Sequence, residues 1–422
     1  MNSFTMETLR SAAIAATIVV SLIGIAVGRI PRLRMNRATI AFSGAALLVA
    51  LGALPAEEAF AAIDLATLIL ILSMMIITAN LKISGFFDLA GRAVLRAART
   101  PYRLLGLVMS SSALLSALFL NDTICIMMTP LVAVLCVRAK RDPVPYLVGL
   151  ALAANIGSAV TLIGNPQNML IGASSGIPFL RFLSRMAVPS ILGVLVAWIV
   201  LVLSFRREFA RGGRIAAGSA TATATATATI IELDKPLLYK SLIAVALMSA
   251  AFIFNVPVAA AAMGGAALLL ITRRIRPERV FAELDWTIIA FFGGLFVITE
   301  AVARTAAFDF LVQRGMPAVG QSMARFSVFT ALLSNLVSNV PAVMLLRPLI
   351  DWFADPEKAW LVMAMSSTFA GNLTLLGSVA NLIVAESSQK YGVKLTFGAY
   401  LKAGLPVTII TILLGVAWLS WT

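Results

Sequence analysis

The sequence contains no histidine and only two cysteines, Cys125 and Cys136. The lack of histidine excludes histidine-ligated metal sites, Ser-His-Asp triads and histidine proton relays. Both cysteines lie in an apolar run without metal-ligand spacing, and two cysteines are too few for a disulfide framework. Charge is also scarce, because 12% of the 422 residues are charged, against roughly 25% in soluble domains.

The residues that are abundant are apolar ones, which make up 60% of the chain. A water-soluble protein of this size could not cover its surface with so few charges, so the composition indicates a protein embedded in lipid. The net charge is +14, but the basic residues form short clusters between apolar stretches, without interleaved aromatic residues. This distribution is typical of membrane topology signals and argues against nucleic acid as a partner.

Twelve apolar stretches are candidates for membrane helices, since about 20 apolar residues span a bilayer. Two of them are unusual. Residues 104–136 are too many for one straight helix and too few for two full spans, and residues 326–350 are interrupted by Ser, Asn and Pro. We interpret both as re-entrant helical hairpins that enter and leave the membrane on one side. The remaining ten are predicted to cross it.

The distribution of Lys and Arg supports this topology. With the N-terminus outside and neither hairpin crossing, 25 of the 33 basic residues lie on the inside and 8 on the outside, as the positive-inside rule requires. Both termini are then predicted outside, in the periplasm of a bacterial-type inner membrane. Each half contains five crossings, an odd number, so the second half is predicted to be inverted relative to the first, as in many secondary transporters.

The predicted domain organisation follows from this topology. Residues 1–205 form the first inverted repeat, with a hairpin at about 104–136 and a broken span at about 146–172. Residues 240–422 form the second, with a hairpin at about 326–350 and a broken span at about 359–385. Between them, residues 206–239 include a low-complexity Ala/Thr run at 220–229, and we interpret them as a flexible cytoplasmic linker. The fold class is an all-α polytopic membrane protein.

Short motifs recur in the two halves. The pattern T-L-x-G-x-x-x-N occurs at residues 161–168 and again at residues 374–381, and each predicted hairpin contains an Asn nine residues before a Pro. Gly and Pro interrupt a helix, and backbone groups freed within lipid are costly unless something satisfies them. Such interruptions line cavities or pack on protein, where exposed carbonyls ligate cations and helix N-termini attract anions.

We therefore predict one polar site built from four helix interruptions. The predicted substrate- and ion-binding residues are Asn121, Asp122, Thr123, Thr161, Gly164, Asn165, Asn168, Ser338, Asn339, Thr374, Gly377 and Asn381. A sodium ion is a possible ligand of Asn121, Asp122, Asn165 and Asn339. The alternative is that small and polar residues in these helices serve only close packing and interhelical hydrogen bonds.

Asp122 is the only acidic residue at a predicted hairpin tip. A carboxylate within the membrane is costly and is usually functional, so Asp122 is a candidate carrier of a coupling proton or a ligand of a coupling sodium ion. A structural role as a helix cap is the alternative.

Four segments together resemble the signature regions of the ion transporter superfamily: NDTICIMMTPL, NIGSAVTLIGNPQN, SNLVSNVPAVMLL and GNLTLLGSVANLIVAE. This group includes citrate-transporter-like proteins, divalent anion:sodium symporters, arsenite permeases and sodium–proton antiporters, and the chain is most similar to bacterial inner-membrane anion permeases. The resemblance implies a homodimer with a fixed scaffold and a moving, elevator-like transport domain. In the sodium-coupled dicarboxylate members of the group, Ser-Asn-Thr triplets at the hairpin tips hold substrate and sodium. This chain keeps Asn121 and Thr123 in one triplet, with Asp122 between them, and Ser338 and Asn339 in the other, with Val340 where the threonine would be.

The predicted function is ion-coupled secondary transport of a small anion, a carboxylate or an inorganic oxyanion, driven by H⁺ or Na⁺ without any cofactor. Efflux of arsenite or antimonite and sodium–proton antiport are alternatives. An enzyme is not expected: an intramembrane aspartyl hydrolase needs two facing carboxylates, a serine hydrolase lacks its histidine here, and there is no P-loop for ATP. The sequence alone leaves the substrate, the coupling ion and the direction of transport open.

Overall fold

The computed structural model describes residues 3–28, 33–210, 233–271, 275–320 and 322–422. These residues form 21 α-helices and one 3₁₀-helix, and the described part of the chain contains no β-strand. The predicted all-α class is therefore confirmed. Seven of the described helices are long and apolar enough to cross a membrane.

Ten helices make up the first half. Their bounds are α1 Ser3–Val27, α2 Arg37–Ala50, α3 Ala56–Ala61, α4 Leu65–Ile83, α5 Phe86–Ala97, α6 Pro101–Leu118, α7 Asn121–Arg138, α8 Val144–Ser158, α9 Pro166–Ser175 and α10 Phe179–Ser204.

A short helix, α11 (Arg206–Ala210), follows the first half, and ten further helices make up the second. Their bounds are α12 Lys235–Ile253, α13 Val258–Leu270, α14 Pro277–Ala282, α15 Trp286–Ala303, α16 Ala306–Val319, α17 Met323–Val337, α18 Asn339–Leu346, α19 Pro356–Ala370, α20 Val379–Gln389 and α21 Phe397–Trp421. The 3₁₀-helix Arg347–Trp352 follows α18. The ten helices of each half correspond one to one in order and kind, whereas the inverted orientation of the halves stays a prediction.

The helices pack in pairs that match between the halves. Helix α2 packs on α15, and α4 packs on α13. The α2–α15 contact is very close: a Cβ placed on Gly294 would lie 2.5 Å from the backbone of Ala41. In each half the first hairpin helix packs on the first segment of the broken helix, α6 on α8 and α17 on α19. The second hairpin helix contacts the broken helix of its own half and also that of the other half, α7 on α20 and α18 on α9.

Both hairpins and both helix breaks are present in the structure. Helices α6 and α7 are separated only by residues 119 and 120, and α17 and α18 are separated only by Ser338. The first break (residues 159–165) lies between α8 and α9, and the second (residues 371–378) lies between α19 and α20. Gly164 and Gly377 lie within these breaks, so no continuous helix passes through either position.

The linker differs in part from its prediction as a flexible loop. Its first residues form α11, where Glu208 is buried and accepts hydrogen bonds from the Tyr146 hydroxyl (3.1 Å) and the Asp142 backbone N–H (3.3 Å). Its last residues begin α12 at Lys235. These contacts hold the first residues of the predicted linker against the start of α8. The Ala/Thr run at 220–229 lies outside the described residues.

The ion pairs are consistent with the predicted topology. Lys82–Glu283 and Arg141–Glu208 join residues that are both predicted inside. Arg181–Glu357, Arg304–Glu58, Arg304–Glu300 and Arg347–Asp64 join residues that are both predicted outside. No ion pair between described residues joins the two predicted sides. Which side is the cytoplasm stays a prediction.

Candidate functional site

The first hairpin tip rests directly on the first helix break. The Asn121 backbone N–H donates to the Gly164 carbonyl at 3.1 Å, and the Thr161 hydroxyl donates to the Ala117 carbonyl at 2.5 Å. Gly164 fits only because it has no side chain: a Cβ there would lie 2.3 Å from the Ser158 carbonyl oxygen, well inside any van der Waals contact. The hairpin and the break therefore form one closely packed unit.

The two repeated asparagines brace the two breaks in the same way. Asn168 Nδ2 donates to the carbonyls of Ser158 (3.2 Å) and Thr161 (2.9 Å), ten and seven residues earlier. Asn381 Nδ2 donates to the carbonyls of Gly371 (2.8 Å) and Thr374 (3.0 Å), again ten and seven residues earlier. These carbonyls have lost their helical partners, and the amide groups replace them. The T-L-x-G-x-x-x-N repeat thus encodes a brace within each break.

Asn155, near the end of α8, lies at the centre of the polar network. Its Nδ2 donates to Asn372 Oδ1 at 2.9 Å and to Asn381 Oδ1 at 3.0 Å. Its Oδ1 accepts from Asn121 Nδ2 and from Ser378 Oγ, both at 3.1 Å. An amide side chain has two donor hydrogens and two acceptor lone pairs, so Asn155 is fully satisfied. It joins the first hairpin tip to the second helix break.

Thr368 occupies the corresponding position in the second half, 213 residues after Asn155. Its hydroxyl oxygen accepts from Asn165 Nδ2 (3.5 Å) and from Gln167 Nε2 (3.3 Å), both at the first break. Asn165 also caps α9 through its Oδ1, which accepts from the Asn168 N–H at 2.8 Å. Each half therefore holds the break of the other half through a buried polar side chain.

The second hairpin tip is built differently. Ser338, the single residue between α17 and α18, has φ 79° and ψ 160°, a region that only glycine adopts readily. The Asn339 amide lies against the second break, because a Cβ at Gly371 would be 3.2 Å from its Nδ2. Asn335 Nδ2 donates to the Ala370 carbonyl at 3.0 Å. The second hairpin thus reaches its break through side chains.

Several buried amide oxygens around these interruptions have no hydrogen-bond partner in the described part of the chain: Asn121 Oδ1, Asn168 Oδ1, Asn335 Oδ1 and Asn339 Oδ1. Buried polar atoms are normally paired, and an amide oxygen can only accept. These four atoms are suited to a cation or to a ligand that donates hydrogen bonds.

The structure brings together most of the predicted site residues but not all of them. Asn121, Thr161, Gly164, Asn165 and Asn168 meet at the first break; Asn339, Thr374, Gly377 and Asn381 meet at the second. Thr123 and Asp122 are half-buried on the first turn of α7. Asp122 makes no hydrogen bond or ion pair within the described residues, and the charges that act on it come from Arg37 and Asp285. It lies beside the network and contributes no contact to it.

The sequence reasoning missed Asn155, Thr368, Asn335 and Gln167. Asn155 is the first residue of NIGSAVTLIGNPQN, but its counterpart is a threonine, so a search for identical residues in the two halves passes over it. The repeated T-L-x-G-x-x-x-N motifs are 213 residues apart. Comparing each residue of the first broken helix with the residue 213 positions later would have paired Asn155 with Thr368.

A cavity of about 700 Å³ lies on the predicted outer side. It separates α3 and α15 from the second hairpin and α19, and Thr299, Glu300, Met344, Arg347 and Trp360 contribute to its walls. None of the predicted site residues lines it. Among the described residues, no cluster of three or more His, Cys, Asp or Glu side chains could hold a metal ion.

The paired hairpins and broken helices, in a chain rich in apolar helices, define a multi-pass membrane protein of the transporter class. The citrate transporter family matches residues 17–370, which is most of the chain, and the protein belongs to this family. It is 27% identical to a Dictyostelium discoideum transporter named arsB (91% of this chain, 87% of that protein). It is 29% identical to the silicon efflux transporter LSI3 of Oryza sativa subsp. japonica (92% and 93%). The solved structure of MtrF from Neisseria gonorrhoeae shares the fold, with a TM-score of 0.56 and 16% identity over 97% of this chain and 94% of that one.

Proposed function

We propose that this protein is an ion-coupled secondary transporter that moves a small anion, a carboxylate or an inorganic oxyanion, across the membrane. The observation that carries this proposal is the buried polar network of four helix interruptions around Asn155. Its described members are Asn, Gln, Ser and Thr side chains and backbone groups, and no Lys or Arg contributes a hydrogen bond to it.

A site without a basic side chain restricts the cargo. Among the described residues, the positive charge that faces this network comes from the N-terminal ends of α7, α9, α18 and α20, each of which supplies about half of a positive charge at most. Additional compensation must come from a bound cation or from a proton on the cargo, because an uncompensated buried charge is very costly. The site chemistry itself thus favours coupled transport.

The unpartnered amide oxygens are the proposed ligands of the cation. Asn121 Oδ1 and Asn339 Oδ1 lie at the two hairpin tips, beside breaks whose backbone supplies further carbonyls. Such neutral oxygen ligands suit Na⁺, a hard cation, as they suit other hard cations. Asn165 Oδ1 is already used as a helix cap, and Asp122 lies beside the network. These two are weaker candidates for Na⁺ than the tip asparagines, and Asp122 stays the candidate for proton coupling.

Alternating access is proposed to move the hairpins and broken helices as one unit against the remaining helices. The outer cavity supports this proposal, because its walls come from both groups: Thr299 and Glu300 lie on α15, and Met344 lies on α18. The Thr299 hydroxyl and Met344 Sδ are 4.0 Å apart across the boundary between the two groups. We further propose a homodimer in a bacterial inner membrane with both termini on the outside.

Proteoliposomes provide the test. Purified protein is reconstituted with an imposed Na⁺ gradient, an imposed proton gradient or neither, and uptake of arsenite, silicic acid, phosphate and citrate is measured. We expect gradient-dependent movement of at least one small oxyacid, and a loss of that movement in Asn165→Ala. Rates that no gradient changes would contradict coupled transport. A wild-type rate in Asn165→Ala would contradict the assignment of the site.

Efflux of a neutral oxyacid is the second candidate. The absence of a basic contact in the described network favours an uncharged cargo, and a relative is named for silicon efflux. Transport of arsenite or silicic acid that is equal at pH 6 and pH 8 under a fixed gradient would favour this reading, since both are mainly neutral there. Sodium–proton antiport would instead appear as Na⁺ movement without any solute.

A further inference from the structure

We infer that Asn155 is the positioning residue that couples the two halves of the transport site, so that a cation at the first hairpin tip changes the solute affinity of the second break. This inference rests on the proposed function and deepens it. The supporting geometry is the fourfold hydrogen bonding of Asn155, with one partner on the first hairpin and three at the second break.

Asn121 and the second break face each other across Asn155. Asn121 donates its Nδ2 to Asn155 while its Oδ1 is buried without a partner. A cation bound by that Oδ1 polarises the Asn121 amide and strengthens its donation to Asn155. It also fixes the orientation of the amide, because the oxygen then cannot exchange places with the nitrogen.

At the second break, Asn155 holds three side chains in place. Its Nδ2 fixes the acceptor oxygens of Asn372 and Asn381, and its Oδ1 accepts from Ser378, the residue that precedes α20. Asn155, Asn372 and Asn381 are at most 2% exposed, so water cannot take the place of a lost partner. If Asn155 rotates, both the brace on the break and the start of α20 must change.

Thr368, the counterpart of Asn155 in the second half, does not connect a hairpin tip to a break. Thr368 accepts from Asn165 and Gln167 at the first break, but it forms no hydrogen bond to either hairpin tip within the described residues. A hydroxyl also has fewer bonding positions than an amide. The connection therefore joins the first hairpin to the second break, with no equivalent through Thr368 in the described part of the chain. Ser366 provides a matched control, because it is 0% exposed and its hydroxyl pairs with Ser327 at 2.6 Å, without a hydrogen bond to this network among the described residues.

Coupling between sites is a free energy that is measured by linkage. The thermal midpoint of the purified protein is titrated with arsenite, silicic acid, phosphate or citrate, each in NaCl and in choline chloride. For wild type we expect Na⁺ to change the apparent solute affinity about 5-fold or more, within the usual range for coupled sites. For Asn155→Ala we expect solute binding without a Na⁺ effect, and for Ser366→Ala an unchanged Na⁺ effect.

The outcomes separate the inference from the proposed function. If no solute stabilises wild type under any condition, the proposed function fails and the inference fails with it. If wild type shows the Na⁺ effect and Asn155→Ala retains it, only the inference is overturned. If Ser366→Ala loses the effect as completely as Asn155→Ala, the effect reflects general damage to the core, and the inference is likewise overturned.

A second experiment needs no ligand and tests the inference even if Asn155→Ala does not fold. The thermal midpoints of Asn121→Ala, Ser378→Ala and the double variant are compared as a double-mutant cycle. These side chains both contact Asn155, and we expect their effects to be non-additive. The same cycle in an Asn155→Ser background, which removes the amide and keeps a small polar group, is expected to be additive. Non-additivity that persists there would exclude Asn155 as the connection.

Discussion

The two hairpin tips occupy corresponding places in the two halves, yet they are held in opposite ways. At the first tip, Phe119, Leu120 and Asn121 are all buried, and the Phe119 ring packs edge-on against Phe86 and Phe87 at centroid distances of 6.0 and 5.8 Å. At the second tip, Ser338 is half-buried and adopts a backbone conformation that favours glycine.

This difference shows that two hairpins with the same helix order can differ in how readily their tips are displaced. The first tip is anchored by apolar burial and by a backbone hydrogen bond to Gly164, so displacing it exposes apolar surface and breaks the polar network. The second tip stores strain at Ser338, and strain of this kind clusters at sites where function requires it. Leu332 and Leu336 on α17 are 65% and 70% exposed, so that hairpin is also less covered. The second tip should therefore move more readily than the first.

The largest expected effect comes from adding one methyl group to each break. A Cβ at Gly164 would lie 2.3 Å from the Ser158 carbonyl oxygen and 2.7 Å from that of Ser116. At Gly377 the closest atoms are the Gly371 carbonyl oxygen at 2.9 Å and Asn335 Oδ1, a movable side-chain atom, at 3.1 Å. We expect Gly164→Ala to abolish the folded protein or its transport, and Gly377→Ala to lose only part of it. Size-exclusion profiles and uptake rates measure both, and an equal loss would contradict the rigidity assigned to the first unit.

The next effect concerns the two braces. Asn168→Ala and Asn381→Ala each leave two buried carbonyls without the amide donor, at about 1–3 kcal/mol for each unsatisfied group. Asn381 Oδ1 also accepts from Asn155, whereas Asn168 Oδ1 has no described partner. We therefore expect Asn381→Ala to lower the thermal midpoint more than Asn168→Ala. Both variants are expected to slow transport at least tenfold if the loss of the brace raises the activation free energy of transport by about 1.4 kcal/mol. A larger fall for Asn168→Ala would show that the network has a different centre.

A smaller effect, of opposite sign at the two tips, is expected from glycine. Ser338→Gly relieves strain of about 1–3 kcal/mol and loses roughly 0.4–1 kcal/mol to the greater freedom of the unfolded chain, so it should raise the thermal midpoint. Leu120→Gly, at the corresponding position of the first tip, removes a buried side chain that is 5% exposed and should lower it, by about 2–5 kcal/mol for this class of change. Destabilisation by Ser338→Gly would remove the argument that the second tip is strained.

The smallest effect on stability, and the most selective one on transport, is expected at Asp122. The second tip has Val340 at the corresponding position, so only the first tip carries a charge. We expect Asp122→Asn to fold normally and to remove the pH or cation dependence of uptake, while Glu386→Gln, at an exposed position on α20, leaves that dependence unchanged. Uptake in Asp122→Asn that still follows the wild-type profile would assign Asp122 a structural role beside Arg37.

The prediction from sequence was accurate where one physical rule dominates. The interruptions at Gly164 and Gly377 were predicted because Gly, Pro and Asn in an apolar run are tolerated only where protein contacts satisfy the backbone. The structure shows both. Helix α11 at the start of the linker was not predicted, because the burial of Glu208 depends on Tyr146, which lies 62 residues earlier in the chain. The role of Asn155 was missed because three of its four partners are more than 200 residues away in the chain.

The sequence by itself determined a helical membrane protein with two hairpins, two broken helices and a repeated pattern of asparagines. These features follow from composition and local spacing, since lipid admits few ways of satisfying a backbone. Only the tertiary structure decided which amide faces which, that Ser338 is strained where Leu120 is relaxed, and that Asp122 stands apart from the network. Those outcomes depend on the packing of one half against the other, because a side chain acquires its hydrogen-bond partners only when distant helices meet.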